Sequence, residues 1–462
     1  AIDKERGVIE EEWRTRNNPI LRQIEDNASV IYAGDKYADC MPIGSMDVVR
    51  NCPYDTLRSY YNTWYRPDLQ GIVVVGDIDV KRTEEKIKEL FASAKVPDGA
   101  PERVYYPVSE YKGPCIVISA DAETPCTLRT YSQKVDDIPD SLKSTEEGLK
   151  QAFIRDVVAT MLSDRLSDVM KEAEPPFVGA NAYYGDFLLS GKQKCFEIAA
   201  QVSNAGAEEA FTRLMEEVER IRRYGFTQDE LERAKKSYLA LLEQIYNHRD
   251  QHKNDYFVSA CIDNFLNNEA MPSDETTFNV SKKIASQVTI ADVNAWVNSW
   301  NTNNVFIWFA GSSLEKLPTK EFVKNELMAL PNKEIKEYED VELPEAIILD
   351  SQLPAKGKIL KKRAIKNGAI EYKLSNGVEV YFKQTDFKDD EILLSAKSFG
   401  GAILLDSTDY VNVRFADELY AEGGIGTMNK VQLDKFLSDK RTSLDASIGT
   451  YNEELSGYAS KK

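Results

Sequence analysis

The sequence predicts an α+β protein of duplicated domains, each with a mostly antiparallel sheet covered by helices, and truncated at both ends. Amphipathic helical patterns alternate with short apolar runs at residues 72–75 and 305–310, which are typical of strands buried on both faces. Residues 57–64 align with residues 293–300 at a constant offset of 236, and both segments end at a tryptophan. A period of this length lies far above solenoid repeats and indicates duplicated domains.

The composition narrows the range of functions. The 462 residues are 42% apolar and 29% charged, which is typical of a globular protein too long for a single core. The net charge of −18 argues against a nucleic-acid or anionic-membrane partner, and no apolar run approaches the roughly 20 residues needed to span a bilayer. We therefore expect no nucleic-acid binding and no membrane insertion. Six cysteines without a C-x-x-C pair leave disulfides possible and the compartment open.

Residues 1–100 are expected to form the C-terminal part of one domain. An acidic helix is predicted over residues 4–14, and a second helix over residues 54–64 with apolar side chains at three-and-four spacing. Residues 70–76 are predicted to be a buried strand, followed by a helix over residues 77–92.

Residues 101–331 are expected to form a complete domain. Thr227 with Glu230 and Thr289 with Asp292 read as capping boxes that each start a helix. Strands are predicted at residues 115–119, 127–131, 178–187, 195–202 and 305–311, and further helices at residues 149–171 and 208–224.

The rest of the chain is expected to be a linker and the start of a third domain. Residues 332–366 are charged and interrupted by prolines, as in an extended connector. Residues 367–462 open with a hairpin whose turn is Asn376-Gly377, but no closing strand and helix follow. We therefore expect the chain to be a fragment of a longer protein.

The first predicted helix carries two candidate functional residues, Glu5 and Glu12. They are seven residues apart, so two helical turns bring their carboxylates to one face. Such a pair can hold a cation or a histidine, but a solvated acidic helix has the same pattern.

Four short motifs resemble the pitrilysin/insulinase family of zinc metallopeptidases. They are the Glu-Arg-Gly-Val-Ile-Glu-Glu-Glu of residues 5–12, Pro-Ile-Gly at residues 42–44, Trp-Tyr-Arg-Pro-Asp at residues 64–68 and Val-Val-Val-Gly-Asp-Ile-Asp at residues 73–79. Their order and spacing resemble long bacterial members of the family with two halves. The resemblance implies four similar domains that form a clamshell around a peptide-holding chamber.

The later blocks resemble other domains of the same family. Arg165-Leu166 followed by residues 175–180 resembles its non-catalytic partner domain, and residues 374–378 resemble the first hairpin of a further domain. The resemblance thus covers essentially the whole chain.

The resemblance also implies a zinc site to which this chain contributes one part. In the family, an H-x-x-E-H helix supplies two zinc ligands and the general base, and a downstream glutamate supplies the third ligand. Glu12 matches that third ligand, and Glu5 matches the carboxylate that supports the site. Three protein ligands leave room for a water on the metal. Because the chain lacks H-x-x-E-H, we expect it to contain no catalytic residue, to bind no zinc alone and to be inactive by itself.

Two other features are weighed against this site. His248 and His252 would share one helical face and could hold an adventitious metal, although a packed or solvated face is the simpler interpretation. Residues 415–420 stand where a second H-x-x-E-H would fall and contain no histidine. The glycines of residues 423–426 indicate a turn, since no Lys-Ser/Thr follows them as in a phosphate loop.

The function predicted for the full-length parent is zinc-dependent endopeptidase activity on peptides or small unfolded proteins in an enclosed chamber. A peptide substrate, pairing of two halves or an oligomer, and a periplasmic or cell-envelope location follow from the resemblance, with the cytoplasm as an alternative. The rival hypothesis is a non-catalytic homologue that is structural or presents substrate, although the presence of Glu5 and Glu12 weighs against it. A third hypothesis is an acidic α+β binding module.

Overall fold

The chain divides into two compact units, Ala1–Tyr338 and Glu339–Lys462. The computed structural model describes residues 1–202, 206–388, 390–406, 409–410, 413 and 415–461.

Residues 1–100 are mainly helical. The helices are α1 (Ile2–Arg16), α2 (Pro19–Ile31), α3 (Met46–Asn51), α4 (Tyr54–Trp64) and α5 (Val80–Phe91). Local capping fixes two of the starts, because Asn18 accepts a hydrogen bond from the Leu21 amide and Asp79 accepts one from the Arg82 amide. The predicted helices over residues 54–64 and 77–92 are confirmed.

The predicted buried strand over residues 70–76 is wrong. These residues pair with no strand of the described chain, and Ile72 and Val74 are about half exposed, at 49% and 48%. The apolar run lacks a hydrogen-bonded neighbour, so it cannot form a ladder. The helix Asn254–Asn267 covers one side instead, since a Cβ on Gly71 would lie 3.1 Å from the Phe265 ring.

A five-stranded sheet organises the rest of the first unit. Its strands are β1 (Cys115–Ala120), β2 (Leu128–Val135), β3 (Phe177–Asp186), β4 (Lys194–Val202) and β5 (Val305–Gly311). The spatial order is β1-β5-β2-β4-β3, in which β1 is parallel to β5 and the other neighbours are antiparallel. Every residue of β5 is buried, as expected of a central strand with both faces covered.

Helices cover one face of this sheet. They are α6 (Glu146–Met170), α7 (Ala207–Tyr224), α8 (Gln228–Asn247), α10 (Asp274–Gln287), α11 (Ile290–Asn298) and α12 (Lys320–Ala329), whereas α9 (Asn254–Asn267) lies beside residues 70–76. Both predicted capping boxes are confirmed, at Thr227–Glu230 and Thr289–Asp292. A mostly antiparallel sheet covered by helices is the predicted fold class, which is therefore confirmed.

Helix α2 packs on the opposite face of the sheet. Gln23 accepts a hydrogen bond of 2.6 Å from the Ser119 hydroxyl, which in turn accepts one of 2.8 Å from the Trp308 indole. These buried contacts attach the N-terminal helices to β1 and β5.

The second unit contains two antiparallel three-stranded sheets. The first consists of β6 (Ile359–Ala364), β7 (Ile370–Leu374) and β8 (Glu379–Phe382), and the second of β9 (Ile392–Phe399), β10 (Thr442–Ile448) and β11 (Asn452–Ala459). Two short helices are α13 (Ala416–Gly423) and α14 (Lys430–Leu437). The predicted hairpin is confirmed, with Gly377 at φ +90° in its turn. The end of the predicted linker, residues 359–364, forms strand β6, which pairs with β7. Within the described residues, none of the helices has the length and apolarity required to cross a bilayer.

Candidate functional site

Helix α1 carries the two candidate carboxylates and has no buried residue. Its charges suit a helix, because Asp3 and Glu5 lie in the first turn and Arg14 and Arg16 in the last. Without an apolar face in the core, α1 depends on polar contacts for its position.

Three polar side chains of α1 bind the segment that contains α3 and the start of α4. Arg6 donates to the backbone carbonyl oxygens of Val49 and Cys52, the second at 2.6 Å. These carbonyls lie at the C-terminal end of α3, where a cation is favourable.

Glu10 and Asp3 make the other two contacts, which together with those of Arg6 form the polar anchor of α1. Glu10 pairs with Arg50 at 2.5 Å, and the Tyr54 hydroxyl donates to Asp3 at 2.6 Å. The Tyr54 hydrogen bond lowers the pKa of Asp3, and the Arg50 hydrogen bond lowers the pKa of Glu10. Both carboxylates are therefore stabilised in their charged forms.

Glu5 and Glu12 lie on the opposite side of α1 from this anchor. At about 100° per residue they are roughly half a turn away from Asp3 and Glu10. Both are exposed, and Val8 between them is 54% exposed. Glu12 pairs with Arg16 at 2.8 Å, and such exposed pairs hold a side chain only weakly. The predicted shared face is thus present and open.

The described residues do not form a metal site by themselves. Among them, no group of three or more His, Cys, Asp or Glu side chains is arranged to hold a metal ion. A zinc site needs three or four such ligands, whereas α1 offers one pair of carboxylates.

The two histidines are not on one helical face, contrary to the spacing argument. Helix α8 ends at Asn247, so His248 is its C-cap and His252 follows a separate short turn. His252 lies 2.9 Å from the Asp274 carboxylate and stacks on Tyr256 with ring centroids 3.9 Å apart. These contacts give His252 a structural role between α9 and α10.

The motif at residues 64–68 has a structural role in this fold. Arg66 is 4% exposed, donates to the Pro101 carbonyl oxygen at 2.6 Å and pairs with Asp68 at 3.0 Å. It therefore ties the end of α4 to the segment that leads into the five-stranded sheet.

Arg165, in the motif that resembles the partner domain, is buried against Glu230. Two hydrogen bonds of 2.6 and 2.8 Å join the guanidinium to the carboxylate, and the Tyr338 ring lies 4.1 Å away. Glu230 also closes the capping box of α8. The pair is a packing feature of the helical layer.

Residues 416–426 form a helix followed by a turn. Helix α13 covers residues 416–423, where no histidine occurs. Gly424 and Gly426 have φ of +81° and +62°, and Ile425 forms a bridge with Met428. The glycines therefore form a turn.

Sequence reasoning missed the residues that position α1. Arg6, Glu10, Arg50 and Tyr54 were not singled out, because their partners are 40 or more residues apart. The one local indication of a role for Arg6 was its position beside Glu5 in the motif of residues 5–12.

Sequence comparison gives one family match and several relatives. Residues 51–238 match the peptidase M16 inactive domain. The chain is 25% identical over 452 residues to a zinc protease PQQL-like protein of Arabidopsis thaliana, which covers 96% of this chain and 43% of the relative. The chain thus spans less than half of that relative's length.

Two solved structures share the fold of this chain. The periplasmic protease PqqL from Escherichia coli matches with a TM-score of 0.67 and 20% identity, covering 99% of this chain and 50% of that one. Pitrilysin matches with a TM-score of 0.61 and 13% identity, covering 100% and 48%. The chain is a homologue of PqqL-like zinc proteases, and its predicted relationship to the pitrilysin/insulinase family is confirmed.

Proposed function

We propose that the protein containing this chain is a zinc-dependent endopeptidase that cleaves peptides or small unfolded proteins. The supporting relationship is the homology to zinc proteases along nearly the whole chain. The observation that carries the proposal is the orientation of α1, whose anchored face leaves Glu5 and Glu12 exposed on the other side.

Glu12 is proposed as one protein ligand of the zinc, and Glu5 as a carboxylate that supports the other ligands. To bind a metal, Glu12 must give up its present ion pair with Arg16. That pair is exposed to solvent, so its loss costs little free energy. Glu5 lies about two turns away on the same face, within reach of a side chain that approaches α1 from solvent.

Zinc, when bound, would polarise the scissile carbonyl and lower the pKa of a water towards neutrality. The part of this chain is to hold one ligand in place through the Arg6 and Glu10 contacts of α1. The histidine ligands and the general base are proposed to come from residues outside this sequence, and the chain alone is proposed to be inactive.

The proposed domain roles follow the repeat. Residues 1–100 complete a catalytic-type domain, residues 101–331 form its non-catalytic counterpart, residues 332–366 link two halves, and residues 367–462 begin a further domain. An enclosed chamber would restrict substrates to peptides and unfolded chains, and pairing of the two halves would close it. A periplasmic location is proposed because PqqL, which shares this fold, is described as periplasmic.

The experiment compares variants of the full-length protein that contains this chain. Peptidase activity is measured as kcat/KM on a fluorogenic peptide for the wild type, Glu12→Gln, Glu5→Gln and Glu11→Gln. Loss of a ligand in Glu12→Gln should reduce kcat/KM by at least about 100-fold, and Glu5→Gln should reduce it by roughly 10–100-fold. Glu11 pairs with Arg14 on another face, so Glu11→Gln should stay within about twofold. Equal activity of the Glu11 and Glu12 variants would reject the proposal.

One observation favours the rival function, a non-catalytic homologue. The inactive-domain match covers residues 51–238, which include four of the five strands of the sheet, α6, α7 and the first half of α8. Glu5 and Glu12 both lie outside that range. The match therefore concerns residues 51–238 and says nothing about the function of α1. Zinc analysis of the full-length protein separates the two, since a non-catalytic homologue would purify without stoichiometric zinc.

A further inference from the structure

A cavity of about 610 Å³ lies between α7 and α12, at one end of the five-stranded sheet. Tyr131 and Val305 line it from the sheet, and Met215 and Val218 line it from α7; all four side chains are buried. Met328 stands at the mouth and is 66% exposed. The volume falls in the range of about 300–1,000 Å³ that is typical of small-molecule sites.

The charged residues of the lining are mostly cationic. Glu219 is the acidic member, and it accepts hydrogen bonds from Arg222 at 2.6 and 2.7 Å and from Arg223 at 2.7 Å. Burial opposes the charge of Glu219, but these hydrogen bonds outweigh burial and hold its pKa below the usual value. Glu219 is therefore ionised, and Arg222 and Arg223 balance its negative charge.

Lys324 completes this cationic edge. It lines the cavity from α12, and no ion-pair partner of Lys324 is found in the part of the chain that the structure describes. With Arg222 it gives the lining two cations and one carboxylate, Glu219. The neighbouring ion pairs of Lys333 with Glu216 and Glu326 lie outside the lining.

We propose that this cavity binds a long-chain carboxylate, with the alkyl chain over the buried apolar floor and the head group at Lys324 and Arg222. The chain's methylenes would replace water against apolar side chains, which favours binding in proportion to the area covered. The carboxylate would meet the excess positive charge at the edge and form charge-assisted hydrogen bonds. This site is independent of the proposed peptidase site on α1.

An alkyl carboxylate fits this cavity better than a peptide C-terminus does. A peptide would bring amide groups onto the floor formed by Tyr131, Met215, Val218 and Val305. The Tyr131 hydroxyl already donates to the Gln133 side chain at 3.4 Å, and the other three side chains of this floor have no hydrogen-bonding N or O atom. An amide placed there would be unpaired, which is unfavourable.

The test titrates the 462-residue chain with 11-(dansylamino)undecanoic acid and follows dansyl fluorescence, then displaces the probe with unlabelled competitors. We expect saturable binding in the micromolar range, and tighter competition by about fourfold for each added methylene from octanoate to dodecanoate. Dodecanol lacks the charge and should compete at least tenfold more weakly than dodecanoate.

Variants locate the bound probe. Lys324→Met should weaken binding at least fivefold, and Met328→Trp should weaken it at least tenfold by filling the mouth. Lys320→Met is the matched control, because Lys320 begins the same helix and is not part of the lining. Far-UV circular dichroism verifies that each variant is folded. The proposal is overturned by absence of saturable binding, by equal effects of the Lys320 and Lys324 variants, or by a leucine-ended peptide that displaces the probe better than dodecanoate.

Discussion

Lys134 is a buried cation on the face of the sheet opposite the main helical layer. Its ammonium donates to the Ser109 carbonyl oxygen at 3.0 Å and lies 3.6 Å from the centre of the Tyr111 ring and 4.6 Å from that of Phe187. Burial lowers the pKa of Lys134 to about 8, against the charges of nearby acidic groups. The folded protein therefore binds this proton less tightly than the unfolded chain does.

The pH dependence of stability should report this buried lysine. Between pH 8 and the unfolded pKa near 10.4, the unfolded state binds more protons, so the free energy of unfolding rises with pH. The free energy of unfolding of the wild type, minus that of Lys134→Met, should rise by about 2 kcal/mol from pH 7.5 to 9.5. Urea unfolding, followed by tryptophan fluorescence at both pH values, measures it. A difference that stays constant with pH would contradict this assignment.

At the same scale, the sequence predicted the shared face of Glu5 and Glu12 but not what orients that face. Helical periodicity is local, so the seven-residue spacing was sufficient for the face. The Arg6 contacts reach carbonyls 43 and 46 residues away. Such contacts depend on how α3 packs beside α1, and no local pattern encodes them.

Gly225 determines how the element α7 ends. It is the C-cap of that helix, with φ at +72°, and a Cβ there would lie 2.5 Å from the Asn294 side chain. Asn294 accepts a hydrogen bond of 2.9 Å from the Phe226 amide, so this contact links the end of α7 to α11. Glycine meets both requirements, the left-handed backbone and the close approach.

Replacement of Gly225 by alanine should therefore destabilise the first unit. Backbone strain and the displaced Asn294 hydrogen bond predict a loss of about 2–3 kcal/mol in the free energy of unfolding. Gly191→Ala is the control, because no atom lies within 4 Å of its Cβ position, and it should change stability by less than about 0.5 kcal/mol. All five tryptophans lie in Ala1–Tyr338, so urea unfolding monitored by their fluorescence reports on this unit. Similar losses in the two variants would argue against the role of Gly225.

Elements were predictable where their stabilising partners are in the chain. The capping boxes at Thr227 and Thr289 and the strand β5 followed from local signals and are present. Residues 70–76 carry the same apolar signal as β5 but form no strand among the described residues. An apolar run predicts a strand that is buried between other elements. It does not reveal which strands, if any, pair with it.

At the scale of the whole molecule, the two units differ in how much apolar surface they bury. The core of Ala1–Tyr338 contains the helical layer and the five-stranded sheet, whereas Met428 and Leu433 are the buried hydrophobic residues among the described part of Glu339–Lys462. Phe399 and Leu404 of the second unit are 99% and 75% exposed. A unit with so small a core gains little free energy from folding.

Limited proteolysis should separate the units by stability. Dilute trypsin is expected to degrade residues 339–462 at least about ten times faster than residues 1–338, because local opening is more frequent where few apolar contacts are buried. Mass spectrometry of the time course identifies the surviving fragment. The double variant Lys356→Ala/Lys358→Ala, which removes two cleavage sites of the second unit just before β6, serves as the control and should show the same order. Equal rates for the two units would contradict the interpretation.

We propose that Glu12 is a zinc ligand in the full-length protein and that the contacts of Arg6 and Glu10 hold α1 in place. The most direct test is an anomalous-difference map at the zinc absorption edge from crystals of that protein. We expect a peak about 2.0–2.2 Å from a Glu12 carboxylate oxygen, and no such peak in Glu12→Gln crystals. A zinc peak remote from Glu12, or full zinc occupancy in Glu12→Gln, would contradict it.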